Sequence, residues 1–166
     1  MNKLCLTAAL ALSLILSGNI LAESIDYGDK QNEIRQLFTA YMDKYNGYLN
    51  QGELTVPSDI YLDEFMLMSN SQPARTSTPA EFVQQAKGFL GNLKQQGVAS
   101  VGWESVDISI LGDNLALASN VALRIKSDGS LFNRIGATYL LKRTDKGWRI
   151  AAFAVHRADQ SMTRHH

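Results

Sequence analysis

The sequence predicts an α+β domain, with its helices gathered ahead of an antiparallel β-meander. Apolar residues recur at helical spacing up to about residue 97, and from Val98 onward the period changes to two. The period-two half is punctuated by Gly112-Asp113-Asn114, Ser127-Asp128-Gly129 and Asp145-Lys146-Gly147, all tight-turn sequences. Long sequential strands joined by such turns pair antiparallel; a parallel βαβ sheet would need crossovers between them.

Each element can be justified in order. Ile34, Leu37, Phe38, Tyr41, Tyr45 and Tyr48 share one helical face, predicting an amphipathic helix over residues 28–49 that Asn50-Gln51-Gly52 ends. Val56-Pro57-Ser58-Asp59 reads as a turn into a short helical segment around Asp59 to Glu64, followed by a short strand from Phe65 to Ser69. Polar Asn70 to Ser77, with Pro73, reads as a loop. Thr78-Pro79-Ala80-Glu81 starts a second helix: a Thr cap, Pro at the first helical position and Glu completing a capping box. Its buried stripe is Phe82, Ala86, Phe89, Leu90 and Leu93, and Gly97 lies just past its end. Four strands follow: Val98 to Ile110, bent near Glu104, then Leu115 to Lys126, Leu131 to Thr144 and Trp148 to Arg157.

Of 166 residues, 45% are apolar and 19% charged, which excludes a disordered chain. Sixteen basic residues balance sixteen acidic ones, so no overall field favours nucleic acid or anionic lipid. Residues 1–22 read as a secretory signal peptide: Lys3 supplies the positive start, Leu4 to Leu16 the apolar run and Ala22 the small residue before the cut. The expectation is an exported protein, periplasmic or secreted, with one domain over 23–158, a flexible tail over 159–166 and no membrane span once the leader is removed. Cys5 is the only cysteine, so the mature chain has no disulfide and no thiolate ligand or nucleophile. Three histidines, two of them adjacent at the C-terminus, offer no zinc spacing. Walker A, GxGxxG and GxSxG sequences are absent. No metal and no cofactor are expected.

The order helix, short strand, second helix and four-stranded meander closing on "KRTDKGWRIAAFAVH" resembles the nuclear transport factor 2-like superfamily, including its SnoaL-like branch. The first helix followed by "NQGEL", the "YLDEFMLMS" segment and the final Gly147-Trp148-Arg149-Ile150 hairpin carry the likeness, which spans about Ile34 to Arg157. It implies a cone-shaped curved antiparallel sheet wrapped around N-terminal helices, with a pocket at the open end. Such pockets serve isomerisation, dehydration, ligand binding or protein contact, so the fold says where to look rather than what happens there.

Likeness to the ketosteroid isomerase branch carries over position by position. Tyr45 falls where that branch keeps an oxyanion-binding tyrosine, Tyr139 near the second oxyanion donor and Ser69 where it keeps a carboxylate base. A serine with no adjacent base does not abstract a carbon-bound proton at neutral pH, so the base is missing. His156 is the candidate substitute, as a histidine serves in the dehydratase branch. Strict alternation puts Trp148, Ile150, Ala152, Ala154 and His156 on one face of the last strand. That face would lie toward the pocket, although a structural histidine bonded to a backbone carbonyl fits the pattern as well. The other face holds Phe153 and Val155 between Arg149 and Arg157, suited to pairing two copies through the sheet. Arg134 either points inward as a fork for a carboxylate or is a strand-surface arginine. The expected function is binding of a small apolar or aromatic molecule, lined by Tyr41, Tyr45, Trp103, Arg134, Tyr139 and His156. The alternatives are an isomerase or dehydratase using His156, Tyr45 and Tyr139, or a plugged dimeric interaction module.

Overall fold

Lys30, Ile34, Leu37, Tyr41 and Lys44 recur at three and four residues and are all buried, so one long helical face is committed to the interior. The structure is a computed structural model that describes residues 9–54 and 60–162, with side chains from residue 26 onward. Positions 1–8 of the expected leader, the side chains of its remainder, the Val56–Asp59 turn and residues 163–166 lie outside that description.

Helix α1 spans Ala9–Gln51, longer than the amphipathic stretch predicted, and ends where Gly52 adopts φ 82° and donates to the Tyr48 carbonyl at 2.8 Å. Helix α2, Pro79–Gln95, begins with the predicted capping box: Thr78 and Glu81 each satisfy the other's backbone N–H. Six strands form one curved, unclosed sheet, β1 Tyr61–Ser69 and β2 Gln72–Ser77 between the two helices, and β3 Val98–Gly112, β4 Leu115–Lys126, β5 Leu131–Thr144 and β6 Gly147–Arg157 after them. Their spatial order is β2-β1-β6-β5-β4-β3. The meander β3 to β6 is antiparallel as expected, but β1 joins β6 in parallel, so the sheet is mixed.

Two expectations fail upstream of α2. The segment leading to Glu64 is strand from Tyr61, because Tyr61 pairs with Ile150 of β6 and Phe65 with Ser77 of β2 rather than closing a helical turn. The loop over Asn70 to Ser77 is instead the hairpin partner β2. Pro73 is tolerated there because β2 is an edge strand, whose outer N–H groups have no ladder to serve.

Helix α1 lies in the concave face and is tied to it by polar links. Asn46 pairs with both the N–H and the C=O of Val101 at 2.9 Å, acting as a short extra strand, and the Trp103 indole N–H donates to the Phe38 carbonyl at 2.9 Å. Lys30 reaches Asp113 in the β3–β4 turn at 3.0 Å. Strand β3 shifts register between Trp103 and Ser105, the predicted bend. The extra residue, Glu104, lets Val101 and Trp103 before it and Val106, Ile108 and Ile110 after it all face the helix. Among the described residues no helix is long and apolar enough to cross a membrane.

Candidate ligand cavity

Where α2 stands off the sheet, Tyr41 and Tyr45 of α1, Leu67 of β1, Phe82 of α2, Tyr139 of β5 and Phe153 of β6 surround a cavity of about 510 Å³. Ala86, Ala122 and Ala137 leave the room. This exceeds the roughly 300 Å³ at which ligand pockets begin.

A knot of phenols forms the polar end. The Tyr45 hydroxyl donates to that of Tyr41 at 3.1 Å, and Tyr41 also interacts through its hydroxyl with Tyr61 and Tyr139. Burial pushes all four phenols above their ordinary pKa, and well above it for Tyr45, Tyr61 and Tyr139. They remain protonated at neutral pH and serve as uncharged donors. Behind this wall Lys44 is buried with its Nζ 3.9 Å from the Tyr41 ring centre, 4.5 Å from Tyr61 and 4.6 Å from Tyr45, and it donates to the Tyr61 hydroxyl. No carboxylate among the described residues faces it, and burial lowers its amine well below the usual lysine range. Arg124 of β4 lines the cavity with its guanidinium 4.9 Å from the centre of the Phe89 ring. Phe89, expected in the buried stripe of α2, is 45% exposed and belongs to this wall.

Of the candidate residues, Tyr41, Tyr45, Trp103 and Tyr139 come together in the cavity wall, and Ser69 lines it as well. His156 and Arg134 do not. Between the pairs Leu140–Ala152 and Leu141–Ile150 the β5–β6 register skips Ala151, a bulge that reverses the alternation of the last strand. Ile150 is buried before the bulge and Phe153 and Val155 face inward after it, so Ala152, Ala154 and His156 turn to the convex side. Phe153 and Val155 therefore line the cavity and cannot form the outer pairing face. His156 is held outside: its Nδ1 lies 2.8 Å from the Arg157 carbonyl and its Nε2 3.0 Å from Thr138 Oγ1. A carbonyl only accepts, so Nδ1 carries the proton and Nε2 accepts from the Thr138 hydroxyl. An imidazole on the far side of the sheet cannot serve as base in this cavity. Arg134 is likewise outward, its side chain half exposed and paired with Glu104 at 2.9 Å, because Ile135, Ala137 and Tyr139 take the inner positions.

The His156 ring occupies the space above Gly136. A Cβ on Gly136 would sit 2.5 Å from that ring and 2.7 Å from the Arg157 carbonyl oxygen. The ring can swing away but the backbone oxygen cannot. Gly136→Ala is expected to destabilise the fold by about 1–3 kcal/mol in urea denaturation; an unchanged midpoint would show that the β5–β6 seam is looser than this packing requires.

The residues missed from sequence, Lys44 and Arg124, had signals. Lys44 follows Tyr41 by three residues on the apolar stripe, and Arg124 shares a strand face with Ala116, Ala118 and Ala122. A charge at a core-facing period is the pattern to look for.

A helix laid in a curved, open sheet, with an aromatic cavity at one end, defines an NTF2-like cone. The chain belongs to the family described as NTF2-like protein (DUF6841), whose model matches residues 32–158. Solved structures share the architecture. An NTF2-like protein with a cystatin-like fold from Novosphingobium aromaticivorans superposes with a TM-score of 0.65 at 16% identity, over 86% of this chain and 90% of that one. A Caulobacter vibrioides protein with a cystatin-like fold gives 0.57 at 13% identity, over 82% and 92%. An NTF2-like protein of unknown function from Shewanella oneidensis gives 0.54 at 16% identity, over 75% and 97%. No curated protein matches the sequence.

Proposed function

We propose that the protein binds a small apolar or aromatic molecule in the cone cavity. The observation that carries this reading is the cavity itself: about 510 Å³ of space whose walls are mostly aromatic and aliphatic, with phenol donors clustered at one end. Such a wall offers stacking area, and its few hydroxyls orient a polar group. The described lining residues include no aspartate, glutamate or histidine, so binding is favoured over proton abstraction. Titration with the neutral fluorophore N-phenyl-1-naphthylamine is expected to saturate at one molecule per chain. Ala137→Phe, which fills the cavity, should weaken binding at least about tenfold, while His156→Ala should leave it unchanged. Equal affinity in wild type and Ala137→Phe would overturn the reading.

We further propose export with removal of residues 1–22, and pairing of two copies through the convex face. There Met66 and Met68 stand 43% and 37% exposed beside Ala152 and Ala154, taking the place expected for Phe153 and Val155. Native mass spectrometry of the exported protein should show two chains, each beginning near Glu23. A single chain at micromolar concentration would refute the pairing, and an intact Met1 would refute the processing.

A further inference from the structure

We infer that the ligand is an amphipathic organic carboxylate, with Arg124 as its counter-ion. The inference rests on the cavity-binding reading and adds the charge of the ligand to it.

The described residues lining the cavity include two arginines, Arg75 and Arg124, and no acid. They are placed differently. Arg75 is exposed at β2 and tied to the side-chain oxygen of Gln85. Arg124 reaches in from β4 and is partly withdrawn from water, and that burial works against its charge. Arg134, Arg143 and Arg157 each face a carboxylate on the surface, whereas Arg124 meets the face of Phe89. A guanidinium held over a ring face has its planar fork of N–H donors to offer an anion, a fork that matches two carboxylate oxygens. Desolvating a cation without an anion is unfavourable, so the arrangement is completed by a ligand that brings the negative charge with it.

The surroundings favour a carboxylate on an apolar body over an inorganic anion. Arg124 lies close enough to the Tyr41 and Tyr45 phenols for charge on one to be felt by the other. A carboxylate held by the guanidinium shares the cavity with those uncharged phenols. The apolar part of the wall includes Leu90, Leu93, Phe82 and Phe153. An inorganic phosphate or sulfate would leave that wall unoccupied. Charge-assisted fork bonds in a partly dry site discriminate strongly between an anion and its neutral isostere.

The test uses a matched pair, 2-naphthoate and 2-naphthamide, titrated calorimetrically into the wild type, Arg124→Met and Arg124→Lys. Wild type is expected to bind the carboxylate roughly tenfold to a hundredfold more tightly than the amide. Arg124→Met, which keeps the stem and removes the charge, should abolish that preference while the amide binds as before. Arg124→Lys, keeping charge without the fork, should retain part of it. Amide binding in both proteins reports on the cavity alone. If both probes bind wild type equally, or if Arg124→Met keeps the full preference, the inference is overturned while the cavity reading stands. If neither probe binds any of the three proteins, both readings fall. Thermal midpoints measured alongside confirm that each variant is folded.

Discussion

Tyr139→Ala is expected to lower the unfolding free energy by about 3–5 kcal/mol, the range for deleting a large buried ring. The side chain is 2% exposed and stands where the helix stripe meets the sheet. Its ring centre is 4.9 Å from Phe38, 5.6 Å from Phe153, 5.7 Å from Tyr41 and 6.3 Å from Trp103. Those four rings belong to one helix and two separate strands, so no single element can move in to fill the hole. Tyr139→Phe keeps the ring and loses only the hydroxyl facing Tyr41, so about 1 kcal/mol or less is expected. Urea denaturation of the pair separates the two contributions. If Tyr139→Ala cost no more than Tyr139→Phe, the ring would not be the joint between helix and sheet.

Lys44→Met acts in the opposite direction, and is expected to stabilise the protein by about 1–3 kcal/mol at neutral pH by removing a buried polar group. The sign of its pH dependence follows from linkage. Burial lowers the folded-state pKa of Lys44 well below the 10.5 of a free lysine. Below the folded value both states hold the proton, and the penalty for the buried cation is present in full. As pH rises from the folded value toward 10.5, the native state releases the proton while the unfolded chain keeps it, so stability increases. The phenols then reverse the trend. Their pKa values are raised in the fold, so above pH 10 the unfolded chain ionises first and stability falls. Wild type should therefore show an alkaline maximum near pH 10. Lys44→Met should lose the rise and keep the fall, as measured by denaturation across that range. A wild-type curve flat up to pH 10 would mean that the amine is solvated.

The meander was readable because its turns are chemical signals. Gly129 and Gly147 adopt φ of 83° and 95°, conformations that the Asp-Gly and Lys-Gly sequences favour at those places. Helix α2 was readable from its capping box, and the bend in β3 from the displaced apolar period around Glu104. The bulge at Ala151 left no such mark. In Ala151-Ala152-Phe153-Ala154-Val155 both faces are small or apolar, so either alternation satisfies the pattern, and partner strand β5 decides which face turns inward. That ambiguity misplaced His156, Phe153 and Val155 together. β2 escaped notice because an edge strand has little to bury: Gln72, Pro73, Ala74, Arg75 and Thr76 are all exposed. Lys44 was hidden by the convention that a lysine marks a solvent face. Here the four-carbon stem follows the core stripe, and aromatic faces with one hydroxyl receive its end.

The parallel seam between β1 and β6 orders the assembly of the molecule in time. It joins Tyr61 to Ile150 and Ser69 to Val155, residues roughly 90 positions apart, and loops of that length close slowly. The β3–β6 meander needs only neighbouring hairpins, whereas β1 and β2 have no sheet to join until β6 exists. On a ribosome, β6 is the last strand to emerge. Leu67, Ser69 and Arg75, which form one side of the cavity, reach their places only with that final docking. The nascent chain thus carries a strand pair in search of a sheet for about half of its synthesis, a state open enough to be handed to other cellular machinery before it can close on itself.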